Sequence, residues 1–138
     1  MNWIMLAVAA MLAGCVQLPP SAQDIQAKRF ESVPGKAAVY IVRDNMGVPL
    51  ADTLWLDDSQ TITTYTGTYY RWEVAPGTHR IVGFGPSTSS LTLNAEAGKV
   101  YFVRHIVSGT LRSGVQLSGL ERLDEQAGRA SVARATLQ

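Results

Sequence analysis

The side chains in this sequence that are able to do chemistry are few. There are two histidines, His79 and His105, one thiol, Cys15, and an adjacent acid pair, Asp57-Asp58. A histidine near an acid and a hydroxyl is the raw material of nucleophilic catalysis, and Ser, Thr and Asp are plentiful. No Gly-x-Ser-x-Gly elbow precedes a helix, however, and the simpler reading is that His79 bonds the turn after Pro76-Gly77. His105 is expected to flank a surface-facing stretch beside Arg104. Asp57 and Asp58 offer oxygens to calcium, but calcium takes six or more, and with Ser59 and Gln60 they read as a solvated turn. Gly83-Phe84-Gly85-Pro86 lacks the lysine, the hydroxyl and the following helix of a phosphate loop. No cofactor or metal is expected.

Cys15 is more informative. As the only cysteine it cannot form an internal disulfide. It closes the run Leu12-Ala13-Gly14-Cys15, which matches the lipobox of bacterial lipoproteins at every position. Small residues before the cut fit a peptidase groove, and the thiol is the atom that receives a diacylglyceryl group. Residues 1–14 carry no charged side chain, and twelve of them are apolar. That run is too short to span a bilayer and has the length of a signal-peptide core, although no Lys or Arg precedes it. The competing reading is a buried free cysteine opening a hydrophobic helix. Two or three acyl chains, at about 0.8 kcal/mol per buried methylene, would anchor the chain stably. Val16, where inner-membrane retention usually has Asp, favours the periplasmic face of the outer membrane.

The aromatic residues supply a candidate contact surface. Trp55, Tyr65, Tyr69, Tyr70 and Trp72 fall within one short region of expected strands. Strand alternation puts Tyr70 and Trp72 on the face opposite Tyr69. Tyr65, Tyr69 and Arg71 on the solvent side would form a flat amphipathic patch suited to an envelope protein or a glycan; ordinary cross-strand packing is the alternative. Nucleic acid is not an expected partner, because 12 basic against 11 acidic residues leave no concentrated basic face. With 46% hydrophobic and 17% charged residues the chain is not disordered either.

The elements that position these residues follow from local pattern. Residues 15–20 end in Pro19-Pro20 and read as a short extended linker. Ser21, with Asp24 three residues on, caps a short helix over about 22–32. Ala37–Arg43 is almost continuously apolar, as a strand covered on both faces should be. Strands follow over 53–57, 61–66, 68–74 and 78–84, with a hairpin turn at Pro76-Gly77. A further hairpin pairs 91–95 with 100–107, a last strand lies within 111–123, and a helix over 121–136 packs weakly on a sheet edge or frays. Seven or eight short strands so spaced indicate a mostly β chain, an antiparallel β-sandwich with a short N-terminal and a C-terminal helix. The expected organisation is a signal peptide (1–14), a lipidated linker (15–20) and one domain (21–138).

The order Val39-Tyr40-Ile41-Val42-Arg43, Gly67-Thr68-Tyr69-Tyr70, Val74-Ala75-Pro76-Gly77-Thr78-His79 and Ala97-Gly98-Lys99-Val100-Tyr101-Phe102-Val103 resembles a family of small bacterial lipoproteins. These carry a domain of unknown function. The resemblance covers about 35–125 and implies a compact β-sandwich, related in style to prealbumin-like modules, at the cell envelope. It implies no catalytic or ligand residues. The expected role is a lipid-anchored binding or assembly module. The alternatives are a small envelope hydrolase using His79 or His105, or an accessory subunit of an envelope complex.

Overall fold

The computed structural model describes residues 18–138, so the signal-peptide run, the lipobox and Cys15 lie outside the described residues. The chain is mostly β, with strands in two sheets and a short helix near each end. The elements are α1 (Ala22–Ala27), β1 (Ala37–Arg43), β2 (Asp52–Leu56), β3 (Gln60–Thr64), β4 (Thr68–Val74) and β5 (Gly77–Gly83). They continue with β6 (Ser87–Thr88), β7 (Ser90–Ala95), β8 (Val100–Thr110), β9 (Gly114–Leu123), α2 (Glu125–Ala133) and β10 (Thr136–Leu137). One sheet has the order β10-β4-β1-β8-β9-β6 and the other β3-β2-β5-β7.

The two sheets pack face to face, and the helices cover the outer face of the larger one. Every residue of β1 is buried, as its unbroken apolar run requires. Ala37, Val39 and Ile41 point between the sheets with Trp72, Val103, Leu54 and Ile81. Ala38, Tyr40 and Val42 point the other way, onto Tyr69, Phe102, Ala27 and Val132 beneath the helices.

Several expected pairings are replaced by crossovers. β4 and β5 flank Pro76-Gly77 but belong to different sheets, and so do β7 and β8. β1 instead pairs antiparallel with β4 and parallel with β8, so the sandwich is mixed, with further parallel pairs β10–β4 and β6–β9. A strand apolar on both faces belongs in the centre of a sheet, and its neighbours must then come from distant sequence. The local hairpins are β2–β3 and β8–β9. Asp57 and Asp58 turn the first of these, both at positive φ, with the Ser59 N–H bonded to the Leu56 carbonyl and Leu56 paired to Gln60 across the turn.

Both helices are shorter than expected. Ser21 caps α1 by accepting the Asp24 N–H, and the helix stops at Ala27. Phe30, at φ 55, then folds its ring onto Tyr40 and Phe102. β9 extends to Leu123, so α2 starts only after Asp124, whose side chain accepts the Ala127 N–H. The expectation of weak edge packing is corrected: α2 lies on the sheet face, with Gly128, Ser131 and Val132 buried over β1 and β8.

Candidate functional site

The three residues expected to share a contact surface are separated. Tyr65 is exposed on the β3–β4 loop. Tyr69 is fully buried, which corrects its placement on the solvent side. Its hydroxyl donates to Asp24 Oδ1 at 2.6 Å, and burial together with that carboxylate drives its pKa far up. Alternation along β4 is as expected, but the face carrying Tyr69 and Arg71 is roofed by α1 and not by water. Asp24 is the residue that sequence reasoning missed: it is buried, and it also takes Lys28 Nζ at 3.0 Å and the Leu137 N–H at 3.2 Å. Burial raises its pKa, but the hydrogen bonds from Tyr69 and Lys28 outweigh burial and hold it below the usual carboxylate range. Arg71 is half-buried in the wall of a groove of about 770 Å³ between α1 and β4. Its guanidinium is already committed, with Nε on the Tyr40 hydroxyl, Nη2 on the Glu31 carbonyl and Nη1 on Glu73.

The histidines lie in two different clusters. His79 bonds the turn as expected: Nε2 is 2.6 Å from the Ala75 carbonyl, and Nδ1 is 2.6 Å from Asp57 Oδ2. Both partners are acceptors only, so the ring satisfies them together only as an imidazolium. Burial opposes the charge, but the Asp57 carboxylate and the Ala75 carbonyl prevail and raise the pKa above its ordinary value. Asp57 Oδ1 also takes the Arg80 N–H at 2.8 Å, so this acid serves the fold of the β2–β3 turn.

His105 is buried between the sheets, which corrects its expected place beside a surface stretch. Alternation along β8 points it inward, where Asp52 of β2 and Thr64 of β3 in the opposite sheet face it. Nδ1 faces Thr64 Oγ1 at 2.8 Å and Nε2 faces Ser118 Oγ at 2.9 Å. A hydroxyl either donates or accepts, so a neutral ring is fully satisfied here. Asp52 Oδ2 stands 3.2 Å from Nε2, and the neighbouring buried Arg43 is held by the Thr64 and Val48 carbonyls. Burial is the main force lowering the His105 pKa, to about 4; Arg43 adds to it and Asp52 opposes it. Asp52 favours a proton on the ring, but burial and the nearby Arg43 charge outweigh it, so the ring is neutral in the fold. Ser118, His105 and Asp52 therefore converge, but not as a triad. Ser118 and Asp52 address the same nitrogen, whereas a triad places hydroxyl and acid on opposite ones; Thr64 does stand opposite Asp52, but all four side chains are buried, out of reach of a substrate.

The two ends of the sandwich differ in polarity. One end carries Lys36, Asp57, Asp58, Glu96 and Lys99 in its loops, and Gly98 N–H bonds the Lys36 carbonyl to join two of them. The other end is made of the loops 44–51, 65–67, 84–86 and 111–113, which present Met46, Tyr65, Phe84 and Leu111. Among the described residues, no helix is long and apolar enough to cross a membrane, and no group of three or more His, Cys, Asp or Glu is arranged to hold a metal.

Comparison with known proteins adds two findings. The model of a family described as "Protein of unknown function (DUF2846)" matches residues 34–120, from just before β1 into β9. An uncharacterized protein of Haemophilus influenzae is 28% identical over 136 residues, an alignment spanning 94% of this chain and 79% of that protein.

Proposed function

This chain belongs to the DUF2846 family, and we propose that it is a lipid-anchored protein of the bacterial cell envelope, tethered through Cys15, that acts by binding or assembly. The observation that carries the reading is the run Leu12-Ala13-Gly14-Cys15, which ends a charge-free apolar segment and stands seven residues before α1. Seven extended residues reach at most about 25 Å, so such an anchor would hold the sandwich close to its membrane. Val16 favours the outer membrane, facing the periplasm.

A binding role is supported over a hydrolytic one by the state of the two histidines. His79 has both nitrogens engaged by a turn, and His105 is closed off between the sheets, so neither offers a free nitrogen to a substrate. The intact mass of protein extracted from membranes tests the anchor. It should correspond to a chain beginning at Cys15 with added diacylglyceryl and acyl mass. An unmodified chain beginning at Met1 would refute it.

A further inference from the structure

We propose that the apolar loop end of the sandwich rests in the interface of the lipid bilayer, so that the protein contacts its membrane through protein side chains as well as through its anchor. The proposal deepens the anchored reading and depends on it for the membrane's proximity. Of the ten large hydrophobic side chains exposed among the described residues, four lie on these loops, Met46, Tyr65, Phe84 and Leu111, and Ile106 and Leu117 stand on the adjoining outer stretches of β8 and β9. Their exposure is high at the loop tips, 84% for Met46, 74% for Leu111 and 59% for Phe84. Exposed apolar groups gathered in this way mark an interaction surface, whereas scattered ones do not.

These loops leave the sheets at one end: Gly67 of one loop lies against the Asn45 side chain of another, a Cβ on Gly47 would come 2.9 Å from the Val107 carbonyl in the outer part of β8, and one on Gly85 would come 3.7 Å from Val115 Cγ1 near the start of β9. Two observations select a lipid surface over a protein partner. The first is charge. The loops 44–51, 65–67, 84–86 and 111–113 contain one cation, Arg112, beside the exposed Leu111; their one acid, Asp44, is held by Arg104 at 2.9 Å. An apolar tip with an adjacent arginine matches an acyl boundary beneath anionic headgroups. The second is where the chain enters. Asp24, in the first turn of α1, bonds the Leu137 N–H, and Leu137 pairs with Tyr69, two residues from the Gly67 loop. The first turn of α1 therefore lies over the end of β4 next to the Gly67 loop, nearer the apolar end than the charged end with Lys36 and Lys99.

Fluorescence of the full-length, lipidated protein in vesicles of phosphatidylethanolamine and phosphatidylglycerol tests this. In processed protein the Cys15 sulfur is a thioether, so a single introduced cysteine takes an environment-sensitive label. A label on Leu111→Cys should shift to shorter wavelength and lose most of its emission to nitroxide-bearing lipids, while one on Lys36→Cys should do neither. Equal solvent exposure of the two labels on protein that still floats with the vesicles would overturn the proposal and leave the anchor standing. Shielding of the Leu111→Cys label only after envelope proteins are added would overturn it in favour of a protein partner. Failure to float would instead overturn the anchor, which the intact mass measures separately.

Discussion

Gly128 gives the sharpest test of how the helical layer is held. It lies in the interior of α2, where helix propensity alone predicts that Gly128→Ala stabilises the protein by about 1 kcal/mol. The packing predicts the opposite sign. A Cβ at Gly128 would stand 2.6 Å from Phe102 Cδ1 and closer still to Cγ and Cβ of the same residue. Carbon atoms rest at about 3.5–4.0 Å, so α2 would have to retreat by at least ~1 Å. Phe102 cannot yield easily, because its ring is packed against Tyr40 and Phe30. A retreating helix loosens Val132 and Ala135, both buried on the same face. Overpacking of this kind typically costs 1–3 kcal/mol or somewhat more, and burial of one valine is worth about 1.5–3 kcal/mol. The expected outcome is a net loss of about 2 kcal/mol. Urea unfolding followed by tryptophan fluorescence measures it as a lower midpoint at unchanged slope. Phe102→Ala, which removes two of the clashing carbons, should cost less in the Gly128→Ala background than alone. A Gly128→Ala protein as stable as its parent, or more so, would refute the reasoning.

The histidines should titrate stability in opposite directions. His105 is depressed from 6.5 to about 4, so unfolding takes up a proton between those values and stability falls as pH falls, by roughly 3 kcal/mol in all. His105→Gln should flatten that part of the pH–stability curve; an unchanged slope would count against the buried neutral ring. His79 is raised, so its contribution is complete below 6.5 and fades as pH rises through its folded pKa. His79→Gln should therefore cost stability at pH 6 and little at pH 9, and an equal cost at both would contradict the imidazolium. Tyr69→Phe removes a donor from the buried Asp24 carboxylate and should cost about 1.5–3 kcal/mol in urea midpoint. A loss within a few tenths would mean that Lys28 and the Leu137 N–H suffice.

The two kinds of histidine show why some of the site was legible and some was not. His79 stands three residues after Pro76 and bonds back to Ala75, a contact within one turn. The partners of His105 come from β2, β3 and β9, thirteen to fifty-three residues away, and no local pattern signals them. The polar ring between the sheets is an exception to the apolar interior that alternation implies. Asp24 illustrates the same limit: its place as an acid in the first turn of a Ser-capped helix is local, but the tyrosine that it accepts from is forty-five residues away.

The residue order alone carried those features whose causes lie within a few residues of each other: the capping of α1 by Ser21, the doubly covered strand Ala37–Arg43 and the turn at Asp57-Asp58; the proposed anchor rests on sequence alone, the contiguous Leu12–Cys15 run. Backbone geometry and side-chain alternation act at that range. Only the tertiary structure decided which strands became neighbours, because a fully apolar β1 can take any compatible partner and long-range packing selects β4 and β8. That choice turned three expected hairpins or edge contacts into crossovers and a helical roof. It buried Tyr69 and His105, and it gathered apolar residues from four separated loops at one end of the molecule.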